Sequence, residues 1–295
     1  MSYKSGFVAI MGSPNVGKST LLNRFIGMKI AIVSKKAQTT RNKVVGILTT
    51  DSYQIIFLDT PGLHTPKNKL GKYMVDTAYS AQKDVDATLM VIDAEAGIKE
   101  RDSEIIGRLN SERFIAAINK SDAVSADRIE EIKKRLISLK IDAKKIFVIS
   151  ALCGHGVEEL EKALLNFLEE GPQYYPPDMV TDRPERFIAA ELIREKILEN
   201  IDDEIPHGVG VEIEKIEEYE NLTKVFAVIY CERASHKGII IGAKGSMLKK
   251  IGAQARKDMQ LLFDTKVYLE LWVKVKDDWR NSLFMLKELG YTKER

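Results

Sequence analysis

Gly12-Ser13-Pro14-Asn15-Val16-Gly17-Lys18-Ser19 fits the pattern G-x-x-x-x-G-K-S in full, and its flanks fit as well. Before it, Phe7-Val8-Ala9-Ile10-Met11 reads as a buried strand. After it, Thr20 to Ile26 carries apolar residues at helical spacing until Gly27 stops the run. In a strand–loop–helix unit of this kind the two glycines let the backbone curl, so that successive N–H groups point inward and the helix start adds the positive end of its dipole. A polyphosphate fits that concavity. Lys18 is expected on the β- and γ-phosphates, the Ser19 hydroxyl on Mg²⁺ and Thr20 on the α-phosphate. Gly12, Ser13, Pro14, Asn15, Val16, Gly17, Lys18, Ser19 and Thr20 are the first candidate nucleotide-binding residues.

The chain around this loop has 295 residues, more than one ordinary domain needs, and reads as two domains that each bury a core. Hydrophobic and charged fractions of 44% and 30% are those of a water-soluble globular protein, and a net charge of +2 singles out no partner. Cys153 and Cys231 stand far apart, which suits reduced thiols in a cytoplasmic protein better than a disulfide scaffold. His64, His155, His207 and His236 have no zinc-ligand spacing with either cysteine, so the Mg²⁺ of the nucleotide is the one metal expected. No apolar run reaches the length of a membrane span, and no secretory leader pattern opens the chain.

Further along, Ile30 to Lys43 is a polar connection holding Gln38-Thr39-Thr40-Arg41, and Val44 to Leu48 reads as a strand. A mobile loop here can bring the Thr40 hydroxyl to Mg²⁺ when a γ-phosphate is present. Gln54 to Leu58 is a buried strand running into Asp59-Thr60-Pro61-Gly62. Asp59 is placed to hold Mg²⁺ through a water, and Gly62 leaves its N–H open to the γ-phosphate. Leu63 follows, and a leucine cannot orient an attacking water. The candidate metal set is therefore Ser19, Thr40 and Asp59, and the candidate catalytic set Lys18, Thr40 and Gly62.

Ala87 to Asp93 is another core strand, followed by a charged helix to about Leu109. Arg113 to Ile118 is a strand that ends in Asn119-Lys120-Ser121-Asp122. The Asp122 carboxylate accepts from N1–H and N2–H₂ of guanine, a donor pair adenine lacks, and facing adenine it would be left unpaired. Asn119 ties base and loops together, and the Lys120 stem lies flat on the ring. Lys145 to Ile149 is a strand ending in Ser150-Ala151-Leu152, whose backbone offers a donor to guanine O6. Val157 to Leu168 has one apolar helical face. Alternating strands and helices with every motif at a strand's carboxyl end describe an α/β P-loop sheet with flanking helices. GSPNVGKS, QTTR, DTPG, NKSD and SAL, in that order, resemble the translation-factor class of small GTPases. In that class a hydrophobic residue after Asp-x-x-Gly, here Leu63, is expected.

Between Gly171 and Pro184 stand four of the chain's eight prolines, which reads as a semi-rigid connector. The second half then gives a helix over Phe187–Ile201, strands over Val209–Glu214 and Lys224–Cys231, and Ile239 to Ile251 with Gly242-Ala243-Lys244-Gly245. A helix to about Phe263 and a strand over Lys266–Val275 follow. This order resembles a type II KH domain, an α+β fold. Its glycine loop lets a single-stranded backbone approach a helix start, with Ile241, Leu248 and Ile251 holding the loop to the core. Arg233 to Lys257 carries seven basic residues and no acidic one, whereas Asp202 to Glu220 carries eight acidic and one basic. The basic run points to RNA. Its candidate contacts are Ile241, Gly242, Ala243, Lys244, Gly245, Lys249, Lys250, Arg256 and Lys257. Trp279 to Tyr291 reads as a helix packing on the second domain.

The pairing of this GTPase core with a KH-like domain, with Ile205-Pro206-His207-Gly208-Val209 at its first strand, is similar to the Era family of bacterial GTPases throughout its length. The proline-rich connector sets the expected domains at 1–170 and 186–295, with the linker over 171–185. The resemblance implies GTP/GDP and Mg²⁺ as cofactors, binding near the 3′ end of 16S ribosomal RNA, and a role in maturation of the 30S subunit. Peripheral association with the cytoplasmic face of the inner membrane is implied as well, and a monomer is expected. No residue is an evident general base, so slow intrinsic hydrolysis is expected, with the nucleotide state setting the position of the KH-like domain. Two other readings stand beside this one: an RNA-binding module that holds GTP without turnover, and a nucleotide kinase, against which Asn119 to Asp122 argue.

Overall fold

The structure, a computed structural model, describes residues 3–34, 36, 39–81, 85–108, 112–202 and 204–291. Gln38 of the Gln-Thr-Thr-Arg run and Leu109, the expected helix end, lie outside the described residues. The chain divides into two compact units, Met1–Thr65 with Met74–Asp182, and Pro66–Tyr73 with Arg183–Arg295.

The first unit is built on strands β1 (Lys4–Met11), β2 (Val44–Thr49), β3 (Tyr53–Asp59), β4 (Ala87–Asp93), β5 (Phe114–Asn119), β6 (Ile146–Val148) and the short β7 (Glu169–Glu170). Their order is β2-β3-β1-β4-β5-β6, parallel except for β2 against β3, with β7 antiparallel to β1. Every residue of β4 and β5 is buried, which is why both read as unbroken apolar runs: a parallel sheet has helices on both faces. Helix α1 (Lys18–Ile26) lays Leu21, Leu22 and Phe25 on the sheet, with Phe25 stacked on Phe57 at 4.5 Å. Helices α3 (Glu100–Arg108), α4 (Ala126–Ser138) and α5 (Val157–Leu164) complete the set, together with α2 (Lys69–Ser80) from Met74 onward, its first residues being counted with the second unit. Strand β1 lies between β3 and β4, where the strand order reverses, so a crevice opens at its carboxyl end. The phosphate-loop sequence begins there.

Two expectations change. The helix expected over Val157–Leu168 stops at Leu164 and tightens into a 3₁₀ turn over Leu165–Phe167, because Leu168 is already extended. The proline-rich stretch is bound to the first unit as far as Asp182. Gln54 Oε1 accepts the amides of Tyr174 and Tyr175 at 2.8 and 3.0 Å, the Ile47 amide donates to Val180 O at 2.9 Å, and the Thr181 hydroxyl donates to Val45 O at 2.6 Å. Prolines carry no amide hydrogen, so the residues between them make these bonds.

The second unit contains α6 (Glu185–Asn200), β8 (Gly210–Tyr219), β9 (Leu222–Cys231), α7 (Ala234–Ile241), α8 (Ser246–Phe263), β10 (Lys266–Val275) and α9 (Leu283–Glu288). The sheet order is β10-β9-β8, with β9 antiparallel to β8 and parallel to β10. Ile193 and Ile197 of α6, Val225, Ala227 and Ile229 of β9, and Ile251, Ala255 and Met259 of α8 form its core. Lys196, largely buried on α6, is neutralised by Glu195, Glu199 and Asp258 within 3.1 Å, as a buried charge requires. The tail is two short pieces rather than one helix. Ser282 is extended and its hydroxyl caps α9 by accepting from Met285 N–H, which breaks the helical phase. Trp279, Met285 and Leu286 are consequently buried while Leu283 is 70% exposed. Within this same unit, Lys69 N–H donates to Asn281 Oδ1 at 3.1 Å, and the rings of Tyr73 and Tyr291 lie 6.1 Å apart.

Candidate nucleotide site and nucleic-acid loop

The phosphate loop leaves no room for side chains at its two glycines. A Cβ on Gly12, whose φ is +144°, would stand 2.4 Å from Val91 O, and one on Gly17 2.2 Å from Asn119 Nδ2. Lys18 is almost wholly buried and curls over the loop, its Nζ donating to Gly12 O at 3.1 Å and Ser13 O at 3.0 Å. Burial pushes its ammonium down from the usual lysine range, against the opposing pull of Asp59 and Asp102. Ser13 donates to Asp102 Oδ1 at 2.6 Å, Val16 is buried, and Asn15 takes a positive φ of 65°. Thr20 occupies the first turn of α1 behind Ser19.

Three oxygens converge beside this loop. Ser19 Oγ lies 2.7 Å from Asp59 Oδ2 and 2.9 Å from Thr40 Oγ1, and Thr40 Oγ1 is 3.5 Å from Asp59 Oδ2. Asp59 is fully buried at the end of β3, and its Oδ1 has no hydrogen-bond partner among the described residues. Burial raises its carboxyl to about 6, partly offset by the Lys18 charge and by hydrogen bonds from Ser19 and Thr40. A carboxylate and two hydroxyls, with one carboxylate oxygen to spare, suit a hard divalent cation such as Mg²⁺. Thr60 donates to Ile10 O at 2.8 Å, fastening the Asp59–Gly62 turn to β1. Pro61 is buried, and a Cβ on Gly62 would stand 2.8 Å from Pro14 Cα. Leu63 is 3% exposed and belongs to the core cluster, so its side chain is committed to packing.

At the other end of the crevice Asn119 joins two loops. Its Nδ2 donates to Val16 O at 2.8 Å, and its Oδ1 accepts from Ala151 N–H at 2.9 Å. Lys120, at φ 64°, extends its ammonium to Asp93 Oδ2 at 2.6 Å. Ser121 and Asp122 form a 3₁₀ turn with the Asp122 carboxylate on the exposed side. The Ser150 hydroxyl accepts from Cys153 N–H at 3.0 Å, and Leu152 is 70% exposed beside it. Among the described residues, the structure thus brings the sequence motifs to one end of one sheet.

Several participants carry no motif of their own. Arg101 donates to Leu63 O at 3.2 Å and Thr65 Oγ1 at 2.8 Å, and its neighbour Asp102 holds Ser13, so the first turn of α3 grips both the phosphate loop and the segment after Gly62. Nothing in their spacing distinguishes them from an ordinary charged helix start. Asp93 was legible in principle, since it ends β4 as Asp59 ends β3. His64 Nδ1 lies 3.0 Å from Gly62 O.

In the second unit, α7 runs into Gly242-Ala243-Lys244-Gly245 and α8 leaves it. Gly242 (φ 74°, ψ 175°) adopts a conformation open only to glycine, and a Cβ there would meet Met247 N at 2.8 Å. Lys244 and Gly245 are left-handed, at φ 50° and 79°. Ala243, Lys244, Lys249, Lys250, Arg256 and Lys257 are exposed, Ile241 and Leu248 half-buried, and Ile251 fully buried. The first turn of α8 contains no acidic residue. This is an exposed loop with cations around it and a helix dipole behind it, suited to a polyanionic strand.

Residues 7–120 match the family of 50S ribosome-binding GTPases, and residues 204–280 match the KH domain. GTPase Era of Ruminiclostridium cellulolyticum is 52% identical over 294 residues, covering 99% of this chain and 98% of that protein. GTPase Era of Alkaliphilus oremlandii is 52% identical over 295 residues, covering 99% and 100%. Among solved structures, Aquifex aeolicus Era bound to GDP.AlF4- superposes with a TM-score of 0.91 at 41% identity, covering 98% of this chain and all of that one. Era in complex with MgGDPNP and nucleotides 1506–1542 of 16S ribosomal RNA superposes with a TM-score of 0.92 at 41% identity, covering 99% and 100%.

Proposed function

The chain belongs to the Era family of GTPases and hydrolyses GTP to GDP and phosphate, and from that premise we propose that it is a switch whose nucleotide state governs access of its KH domain to single-stranded ribosomal RNA. The observation that carries the reading is the meeting of Ser19, Thr40 and Asp59 oxygens beside a buried Lys18. In this reading residues 1–170 carry GTP hydrolysis and 186–295 bind RNA, and the stretch 171–185, which packs with the first unit as far as Asp182, joins them.

Lys18, now bonded to loop carbonyls, turns to the β- and γ-oxygens and neutralises charge that builds up during transfer. Ser19 and Asp59 are held in place by the α1 start and the β3 end, and Thr40, whose Oγ1 already lies 2.9 Å from Ser19 Oγ, would be held there by a bound γ-phosphate. Ser19, Thr40 and Asp59 would hold Mg²⁺, which would supply charge neutralisation at the phosphates. The Gly62 N–H, packed against Pro14, is available to the γ-phosphate. Because Leu63 is in the core, no side chain at that position orients the attacking water, and turnover by the protein alone is slow. Guanine is selected by Asp122, with Lys120 and Leu152 along its faces and Ser150 and Ala151 shaping the loop beneath. Loss of the γ-phosphate releases the Thr40 loop and the segment after Gly62.

The relative solved with nucleotides 1506–1542 of 16S ribosomal RNA supports assigning the same RNA class to this chain. Its 3′ end would lie along Ile241 and the glycine loop, with Lys244, Lys249, Lys250, Arg256 and Lys257 on its phosphates, in service of 30S maturation by a cytoplasmic monomer. Peripheral contact with the inner membrane rests on the family likeness alone. No helix among the described residues is long and apolar enough to cross a bilayer.

Crosslinking to RNA followed by sequencing, with a non-hydrolysable GTP analogue against GDP, tests the switch. Enrichment of one single-stranded ribosomal site with the analogue alone is the expected result, and equal, scattered recovery in both states would refute it. Co-sedimentation with anionic vesicles, absent with neutral ones, is the corresponding check on membrane contact.

A further inference from the structure

We propose that Arg24 is a positioning residue for guanine recognition, acting through the peptide between Ala151 and Leu152. The inference rests on the guanine-site reading above and deepens it. Arg24 lies in the last turn of α1, the helix whose first turn carries Lys18 and Ser19. Its guanidinium reaches the loop of Ser150–Gly154, donating from Nε to Ala151 O at 3.1 Å and from Nη2 to Leu152 O. The Cβ position of Gly154 stands 3.6 Å from Nη1, so the left-handed glycine (φ +87°) provides the bare backbone against which the guanidinium lies.

The amides of this loop show what the grip accomplishes. Ser150 N–H donates to His155 O, Ala151 N–H to Asn119 Oδ1, Cys153 N–H to Ser150 Oγ and Gly154 N–H to Ser150 O. The amide of Leu152 has no acceptor among the described residues. It belongs to the same peptide group as the Ala151 carbonyl that Arg24 holds, and in a trans peptide N–H and C=O point in opposite directions. Fixing the carbonyl on the α1 side therefore aims the Leu152 N–H away from α1. A cation on a carbonyl also polarises its peptide and strengthens the N–H as a donor. The acceptor this serves is O6 of a 6-oxopurine. Arg24 thereby links the helix that starts at the phosphates to the loop that recognises the base.

The test compares three diphosphates on the full-length protein by equilibrium competition. GDP and IDP both carry O6, whereas 6-thio-GDP keeps N1–H and the 2-amino group but offers sulfur, a weaker acceptor. In Arg24→Met, which keeps an unbranched stem and the helix propensity but removes the guanidinium, GDP and IDP are expected to weaken together by about three- to tenfold, the range of one net hydrogen bond. 6-Thio-GDP is expected to weaken least, so the preference for GDP over 6-thio-GDP narrows while the preference for GDP over IDP, set by Asp122, holds. Arg24→Lys, which keeps charge but reaches one carbonyl, should recover part of the difference. Equal weakening of all three ligands would show that Arg24 only stiffens the loop and would overturn the proposal, as would no change in any. Wild-type protein that failed to prefer GDP over IDP would instead remove the guanine-site reading itself.

Discussion

The two glycine loops of this protein use the same local device at different depths. Each precedes a helix whose N-cap is a left-handed glycine with no side-chain cap, Gly17 before α1 and Gly245 before α8, and neither helix has an acidic residue in its first turn. Both helix starts keep free amides and an uncancelled dipole for an anion. Around Gly12 and Gly17, however, backbone and side-chain atoms stand within 2.4 Å of any added Cβ, and the loop lysine is buried. Around Gly245 nothing lies within 4 Å, and the nearby lysines face solvent. A buried cradle can demand one ligand geometry because its groups are fixed and desolvated. An exposed cradle takes a phosphodiester strand of variable path and leaves discrimination to the bases.

The comparison can be broken first at Asp122, the exposed carboxylate at the end of the same crevice as the buried phosphate loop. Asp122→Asn, which trades two acceptors toward guanine for an amide suited to xanthine, should lower GDP affinity by at least about a hundredfold and favour XDP, measured by competition. Unchanged GDP binding would remove Asp122 from the site. Gly62→Ala comes next. Its methyl group would meet the Pro14 backbone at 2.8 Å, so single-turnover hydrolysis should fall more than about tenfold while GDP affinity stays within about threefold. At the exposed loop the effects are smaller and graded. Gly242→Ala, which combines a close contact with a glycine-only conformation, should cost about 1–3 kcal/mol in denaturant unfolding of the second unit, and Gly245→Ala, strained by its φ alone, about 1–2 kcal/mol. Equal costs would mean that the Met247 contact relaxes freely. For Lys249→Gln with Lys250→Gln, the log–log slope of RNA affinity against salt should become shallower by roughly 0.7 per lost phosphate contact. The mildest contrast lies in the thiols. Exposed Cys153 should be alkylated readily, while Cys231, buried and with its thiol pushed up by that burial, should react only after unfolding, as peptide mass mapping would record.

The sequence made the buried site legible because its chemistry is concentrated in short contiguous motifs at strand ends. Asn119 illustrates how far that went: its bridging of loops was expected, and it bonds to Val16 and Ala151. Arg24, Arg101 and Asp102 were not legible, because their partners lie 36 to 128 residues away and any polar helix can carry such residues. Helix α4 escaped notice for a related reason, since Ser125 caps it and Ile129, Ile132 and Leu136 anchor it, but its surface is densely charged. In the second half the order of elements was readable throughout. The tail was not: Trp279 and Leu283 look like one helical face, yet the cap at Ser282 separates them. Local hydrogen bonding there outweighed apolar spacing.

The parallel pairing of β9 with β10 bears on when each site exists during synthesis. Ten residue pairs join these strands, from Lys266–Leu222 to Val275–Cys231, and the whole Gly242–Gly245 loop lies within the crossover between them. A parallel pair cannot zip from a hairpin, so the loop acquires its final curvature only after β10 has left the ribosomal exit tunnel and docked. The first six strands of the nucleotide sheet end at Val148, well over a hundred residues earlier in translation. A nascent chain therefore presents its guanine-nucleotide machinery before it presents any grip on RNA, and an interrupted chain lacking β10 would carry the former without the latter.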